Sequence, residues 1–249
     1  MTTRRSATDP RGSLTLRWAG LSALVSRLPV VCWLTLAAIG CGPPAAAERG
    51  TTPAHPIGTL HAPGEYSLEL TIDQEVTAEH VGGSESFRAV LEKRGDRLVM
   101  VGLGPHGGRA FVLTEDGSEV RFESQMPREL PFPPEFMLMD IHRTWLRGLP
   151  REGGAALPDG RHEAFLEGEN VSEVWAAGRL LERHYAILTS NLAWWSVHIT
   201  YEGGLGADGT LPTRVIIDST PAPEQHYRLV LDHLAGSITT GQQPSESNE

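Results

Sequence analysis

Cysteine is all but missing from this chain of 249 residues: Cys32 and Cys41 are the two that occur. Both precede the strand-like texture that begins at Tyr66, so no disulfide can staple that region. Its fold must rest on a hydrophobic core. Also missing is any apolar run of the ~20 residues that a membrane-spanning helix needs. Basic residues are in the minority, 21 Lys and Arg against 31 Asp and Glu, for a formal net charge of −10. That balance argues against nucleic acid, whose phosphates call for a concentrated basic surface. Enzyme signatures are scarce as well: there is no G-x-S-x-G elbow, no P-loop and no H-E-x-x-H.

The first 40 residues differ from the rest. They hold Arg4, Arg5, Arg11, Arg17 and Arg27 but one acid, Asp9, followed by the apolar stretch Val30 to Ile39. A basic leader, a short apolar run and a small-residue exit describe a secretory signal. Arg4-Arg5 is followed by Ser6-Ala7-Thr8, not by the apolar segment a twin-arginine signal carries. The run ends in Ala38-Ile39-Gly40-Cys41, which resembles the lipobox of bacterial lipoproteins. The expectation is cleavage before Cys41, lipidation of its thiol and acylation of the new amino terminus, an anchor far firmer than one acyl chain. Gly42, rather than Asp, follows the cysteine and leans toward the outer membrane, with the domain facing the periplasm. The remaining chain would carry 16 basic and 30 acidic residues, a balance of −14. Residues 41–64, rich in Pro, Ala, Gly and Thr after the cysteine, are expected to form a flexible tether.

From residue 65 to 235 the pattern is that of a mostly antiparallel β domain. Tyr66 to Ile72 alternates as a half-buried strand. Phe87, Ala89 and Leu91 share a face, Arg94-Gly95-Asp96 turns, and Leu98 to Val101 and Ala110 to Thr114 follow as strands. Asp116-Gly117 is a strong hairpin signal before Glu119 to Phe122. The spacing over Glu135 to Arg147 predicts a helix that packs on the sheet, begun by Pro134 and ended by Gly148 and Pro150. Strands are expected again over Glu163–Gly168, Val171–Ala177, Leu180–Leu188, Ala193–Tyr201, Arg214–Asp218 and His226–His233. In the fourth of these, Trp195, Val197, Ile199 and Tyr201 share a face. The residues from 236 to 249 read as a disordered tail. About ten strands and one helix suggest a curved antiparallel sheet or incomplete barrel.

Chemistry-bearing constellations do not emerge from this pattern. The ten histidines are scattered, and Asp140 and His142 are too close in sequence to share a helix face. Gly102-Leu103-Gly104 follows a strand but opens no helix, so a dinucleotide site is not expected. Asn170-Val171-Ser172 is a formal glycosylation sequon without force in a bacterial lipoprotein. No catalytic residue, metal site or cofactor is expected. What remains is shape: a curved sheet with aromatic and Met residues on one face, under a helix, can enclose an apolar ligand. The same residues can equally fill a dry core.

Residues 98–113, LVMVGLGPHGGRAFVL, resemble the strand–loop–strand segment (L/V)xGPxGxxxxxL of the LolB-like outer-membrane lipoprotein receptors. Thr144-Trp145-Leu146-Arg147-Gly148-Leu149-Pro150 resembles the WlxGlP that follows their helix. Leu211 to Val215 and Tyr227 to Leu231 fit the end of the pattern. A neighbouring family of short lipoproteins shares GLxPxGxRxFxLxxDG, to which Gly102 to Gly117 is similar. The resemblance implies an unclosed half-barrel with a helical lid, LolA/LolB-like, over a cavity that receives acyl chains such as palmitate without covalent chemistry. It makes Phe87, Leu91, Met100, Phe111, Leu113, Phe122, Trp145, Trp175 and Trp195 the expected cavity lining, and Leu103, Pro105 and His106 the membrane or cargo loop. The protein would act as a monomer, with acyl chains as cargo, the outer membrane as anchor through Cys41, and a periplasmic carrier protein as a candidate partner. One departure stands out: the LolB loop carries an exposed Leu after its Pro, and here His106 occupies that place. The alternative from a different class is a structural or assembly lipoprotein with a filled core that binds a protein partner.

Overall fold

The computed structural model describes residues 58–126, 134–188, 194–220 and 226–240. Cys41 and the expected signal and lipobox lie outside these residues. The described chain forms eleven strands: β1 (Leu68–His80), β2 (Gly83–Arg94), β3 (Arg97–Leu103), β4 (Arg109–Asp116), β5 (Glu119–Ser124), β6 (Gly160–Leu166), β7 (Glu169–Ala176), β8 (Arg179–Leu188), β9 (Trp194–Gly206), β10 (Arg214–Thr220) and β11 (Tyr227–Thr240). Helix α1 (Pro134–Ile141) stands between β5 and β6 and runs into a π turn over His142–Leu146.

All eleven strands belong to one antiparallel sheet, ordered β5-β4-β3-β2-β1-β11-β10-β9-β8-β7-β6. It is two consecutive meanders, β1 to β5 and β6 to β11, joined where the first strand pairs with the last. That central pair runs from Leu68↔Thr240 to His80↔Tyr227, with a bulge at Asp73/Gln74. The sheet is unclosed: β5 and β6 are its two edges, and the α1 segment is the stretch of chain that connects them. Turns follow local chemistry. Gly95 and Gly117 hold φ of 52° and 55°, a left-handed conformation that glycine adopts at no steric cost.

Alternation decides which face is inside. In β1, Leu70, Ile72, Gln74, Val76 and Ala78 are buried; in β9, Trp195, Val197, Ile199 and Tyr201 are. Burial extends across the sheet, from Leu113 on β4 to Val171 on β7. An eight-residue helix is about 12 Å long and cannot cover that face if the sheet is flat. The contacts of the π turn explain how it is covered. His142 bonds Glu115 on β4, while the next residue, Arg143, bonds Glu169 on β7. Those strands stand eight places apart in the sheet, roughly 38 Å at the usual strand spacing. The sheet therefore curls around the α1 segment, which packs against its concave face.

Three boundaries differ from expectation. The helix expected over 135–147 is α-helical only to Ile141, and five residues of π turn complete it. The lid is thus short and largely embedded. β11 runs on to Thr240, so residues 236–240 are strand rather than tail, because β1 offers them pairing partners from Leu68 to Ile72. Residues 58–64, expected in the tether, dock on the domain. Leu60 packs on the core, and Pro63 is buried. His61 sits 2.8 Å from Glu167 and 3.0 Å from Glu65, and the Gly64 amide donates to Asp96 at 2.9 Å. Ion pairs across about a hundred residues leave no trace in local composition.

Candidate functional site

The α1 segment is held unevenly along its length. Its C-terminal half is clamped by a buried polar network. Arg183 on β8 donates from Nη1 to the carbonyls of Arg143 (2.7 Å) and Thr144 (3.2 Å), and from Nε to Glu173 (2.7 Å). The hydroxyl of Tyr201 donates to the Thr144 carbonyl at 2.8 Å. That of Tyr185 donates to the carbonyls of Arg143 and Arg147. These donors satisfy the carbonyls that a helix end leaves unpaired, and a cation there suits the helix dipole. Burial opposes the charge of Arg183, but Tyr201, Glu173 and Tyr185 around it hold its pKa above the usual value. Glu173 also accepts from the Leu149 amide and the Trp175 indole. Burial favours its neutral form, yet Arg183 and these donors outweigh it and keep its pKa low.

Gly148 is required by this clamp: a Cβ there would lie 2.5 Å from Arg183 Nη2 and 2.6 Å from Glu173 Oε1. Arg147, one residue earlier, pairs with Glu169 at 3.0 Å and Glu167 at 3.2 Å. The Trp145-Leu146-Arg147-Gly148-Leu149-Pro150 stretch is thus the lock that fastens the segment to β7 and β8.

From Met137 to Trp145 the segment also covers a cavity. The walls are Val76, Phe87, Met100, Met137, Ile141, Trp145, Ile217, Leu229 and Leu231, with three polar groups: Gln74, Asp140 and Thr144. It holds about 40 Å³ for water-sized occupants, space for roughly three waters. An acyl chain longer than a few carbons enters only if α1 shifts. Asp140 and Thr144 are four residues apart and share a face, whereas His142 between them turns to Glu115 at 2.7 Å. Asp140 accepts the Tyr227 hydroxyl on both oxygens, at 3.1 and 2.9 Å. Burial raises its pKa to about 6, against the opposing pull of Arg143 and the Tyr227 bond. Gln74 Oε1 and Thr144 Oγ1 are buried without a hydrogen-bond partner among the described residues.

Of the nine residues expected to line a cavity, Phe87, Met100 and Trp145 do so. The other six are core residues that do not line it. Leu91, Phe111, Leu113, Trp175 and Trp195 are buried, and Phe122 is half-buried on edge strand β5. The cavity lies where β3, β2, β1, β11 and β10 face α1, and side chains nearer either edge of the sheet pack elsewhere. Phe111 stacks edge-on to Phe87 at 5.4 Å and lies across Gly102, its cross-strand partner. That ring, 2.1 Å from any Cβ at Gly102, explains a glycine that no dinucleotide site requires. Of the expected loop, Leu103 is half-buried at the end of β3. Pro105 and His106 are exposed in the turn closed by Gly107 N to Gly104 O.

Sequence reasoning missed Gln74, Met137, Asp140, Thr144 and the β10 and β11 walls. A signal existed for Gln74, which falls in the inward register between Ile72 and Val76, where a polar residue is unusual. Among the described residues no cluster of His, Cys, Asp and Glu is arranged to hold a metal ion, and no helix is long and apolar enough to cross a membrane.

The sheet and the α1 segment together define the region that known families recognise. The chain belongs to the family described as "Protein of unknown function (DUF3261)", which matches residues 71–234, from within β1 to within β11. Among solved structures, the chain is similar to a LolA superfamily protein from Nitrosomonas europaea. Identity is 12%, coverage is 77% of this chain and 91% of that one, and the TM-score is 0.36. A search of curated proteins finds no match. None of these names a LolB-like receptor.

Proposed function

We propose that this chain is an outer-membrane lipoprotein, anchored through Cys41, whose domain takes the acyl part of a lipid or lipoprotein between the sheet and α1. One observation carries the reading. An apolar cavity lies under Met137, Asp140, Ile141, Thr144 and Trp145 of a helical segment whose C-terminal carbonyls are fastened by Arg183, Tyr185 and Tyr201. Such a segment can shift toward its N-terminal end, giving up the Tyr227–Asp140 bond, while its C-terminal carbonyls stay attached, and π turns recur at functional positions in helices. Uptake would then exchange core contacts of Met137 and Ile141 for ligand contacts. Transfer between carriers would follow relative affinity, each buried CH2 contributing ~0.8 kcal/mol. No step requires a catalytic group.

The second reading, a structural lipoprotein that binds a protein partner, is favoured by the small size of the cavity and by the two open sheet edges, β5 and β6, with Phe165 on β6 73% exposed. Native mass spectrometry of the chain from Gly42 onward, purified without detergent, separates the two. A mass increment equal to a fatty acid or phospholipid supports the carrier. A bare domain that also takes up no fluorescent acyl probe refutes it and leaves the partner-binding reading.

A further inference from the structure

The cavity is more than an apolar slot. Gln74 is 3% exposed and Thr144 fully buried. Both line the cavity, and neither Gln74 Oε1 nor Thr144 Oγ1 has a hydrogen-bond partner among the described residues. A buried polar atom without a partner costs stability, and a site for hydrocarbon alone has no use for two of them. The third polar group, Asp140, is oriented by Tyr227. All three stand on the two elements that face one another across the cavity, β1 and the α1 segment.

We propose that this is a head-first site for a single-chain amphiphile, whose uncharged alcohol or amide head donates a hydrogen bond to Gln74 Oε1 and pairs with the Thr144 hydroxyl. The inference rests on the carrier reading and adds to it the chemistry and the direction of the ligand. Charge is disfavoured at the head for two reasons. An anion would meet the Asp140 carboxyl inside an apolar wall, and a charged head of either sign would pay a large desolvation cost. A head that only accepts hydrogen bonds leaves Gln74 Oε1 unpaired. A head that donates satisfies it, and Thr144 serves as donor or acceptor as the ligand demands. The chain of the amphiphile is admitted by the same shift of α1 and lies against the apolar walls Val76, Met100, Ile141 and Leu231.

The test uses the full chain carrying Cys41→Ser, so that no attached acyl group competes and binding is read in water. The probes are 11-bromoundecan-1-ol and its methyl ether, which share a chain and differ in the donor. Bound bromine is read as quenching of tryptophan emission, Trp145 being in the wall. The alcohol is expected to bind at least ten-fold tighter than the ether. In Gln74→Leu the preference should shrink to within about two-fold while affinity for the ether is kept, whereas Thr144→Val, which removes a partner of either head, should weaken both probes. Equal binding of alcohol and ether by the wild-type domain overturns the head-group inference and leaves the carrier reading standing. A preference that survives Gln74→Leu also overturns it, since the donor is then read elsewhere. Binding of neither probe overturns the inference and the carrier reading together. The comparison of the two probes on the chain with its cavity unsubstituted needs no cavity variant to fold.

Discussion

Asp140 offers the sharpest test of how the α1 segment is held. It is 4% exposed, accepts the Tyr227 hydroxyl on both oxygens, and faces an apolar cavity. Burial lifts its pKa from 3.8 to about 6, with Arg143 and Tyr227 opposing. The sign follows from linkage. A carboxyl whose folded pKa lies above its unfolded value favours the folded state fully below 3.8, and that favour is lost as pH rises through about 6. Above that pH the folded domain holds a buried charge that the unfolded chain would hydrate. The interval between 3.8 and about 6 corresponds to about 3 kcal/mol. Asp140→Asn keeps the volume and an acceptor for Tyr227 but cannot ionise. The stability of the variant relative to wild type should therefore rise by about 2.5 kcal/mol between pH 4 and pH 7.5, most of it between pH 4 and 6. A domain of this size would show it as a gain of roughly 5–10 °C in relative Tm. Urea or thermal unfolding of both proteins across that range measures it, and any pH-independent cost of the substitution drops out of the comparison. Parallel pH profiles would refute the argument. So would a relative stability that falls as pH rises, which would mean that Arg143 keeps the carboxylate charged in the fold.

Other consequences concern the clamp, the core and the loop. Arg183→Ala leaves Glu173 buried without its cation and three carbonyl or carboxylate contacts unmade. A loss of about 3–5 kcal/mol in denaturant unfolding is expected, and a loss under 1 kcal/mol would mean that water replaces the guanidinium. Gly102→Ala drives a methyl into the Phe111 ring. It should cost about 1–3 kcal/mol, and the double variant with Phe111→Leu should recover part of it, as equilibrium unfolding of the pair would show. His106→Leu places an apolar side chain on an exposed turn and should increase insertion into liposomes in a reconstituted assay. No change would remove that turn from any membrane role.

Period-two patterning in this sequence is a property of short range, and what it specifies is correspondingly local. It marks the strands from β1 to β11, the hairpin at Asp116-Gly117, a helical segment after Pro134, and the inward face of β9 with Trp195 and Tyr201. Each of these depends on residues within a few positions, which see one another whatever the fold. The strand order does not follow from it. Which strand β1 pairs with, and therefore that Gly236 to Thr240 are strand, was decided by β11 arriving beside it from the far end of the chain. The buried network was equally illegible. Arg183, Glu173, Glu169 and Glu115 look like solvated charges in sequence, because their partners stand 10 to 40 residues away and meet only when the sheet curls around the π turn. The cavity follows the same logic. The sequence by itself determined that a face rich in Met and aromatic residues would meet a helix. The tertiary structure alone decided which of them border empty space, since a void is set by how two surfaces fit and not by the composition of either.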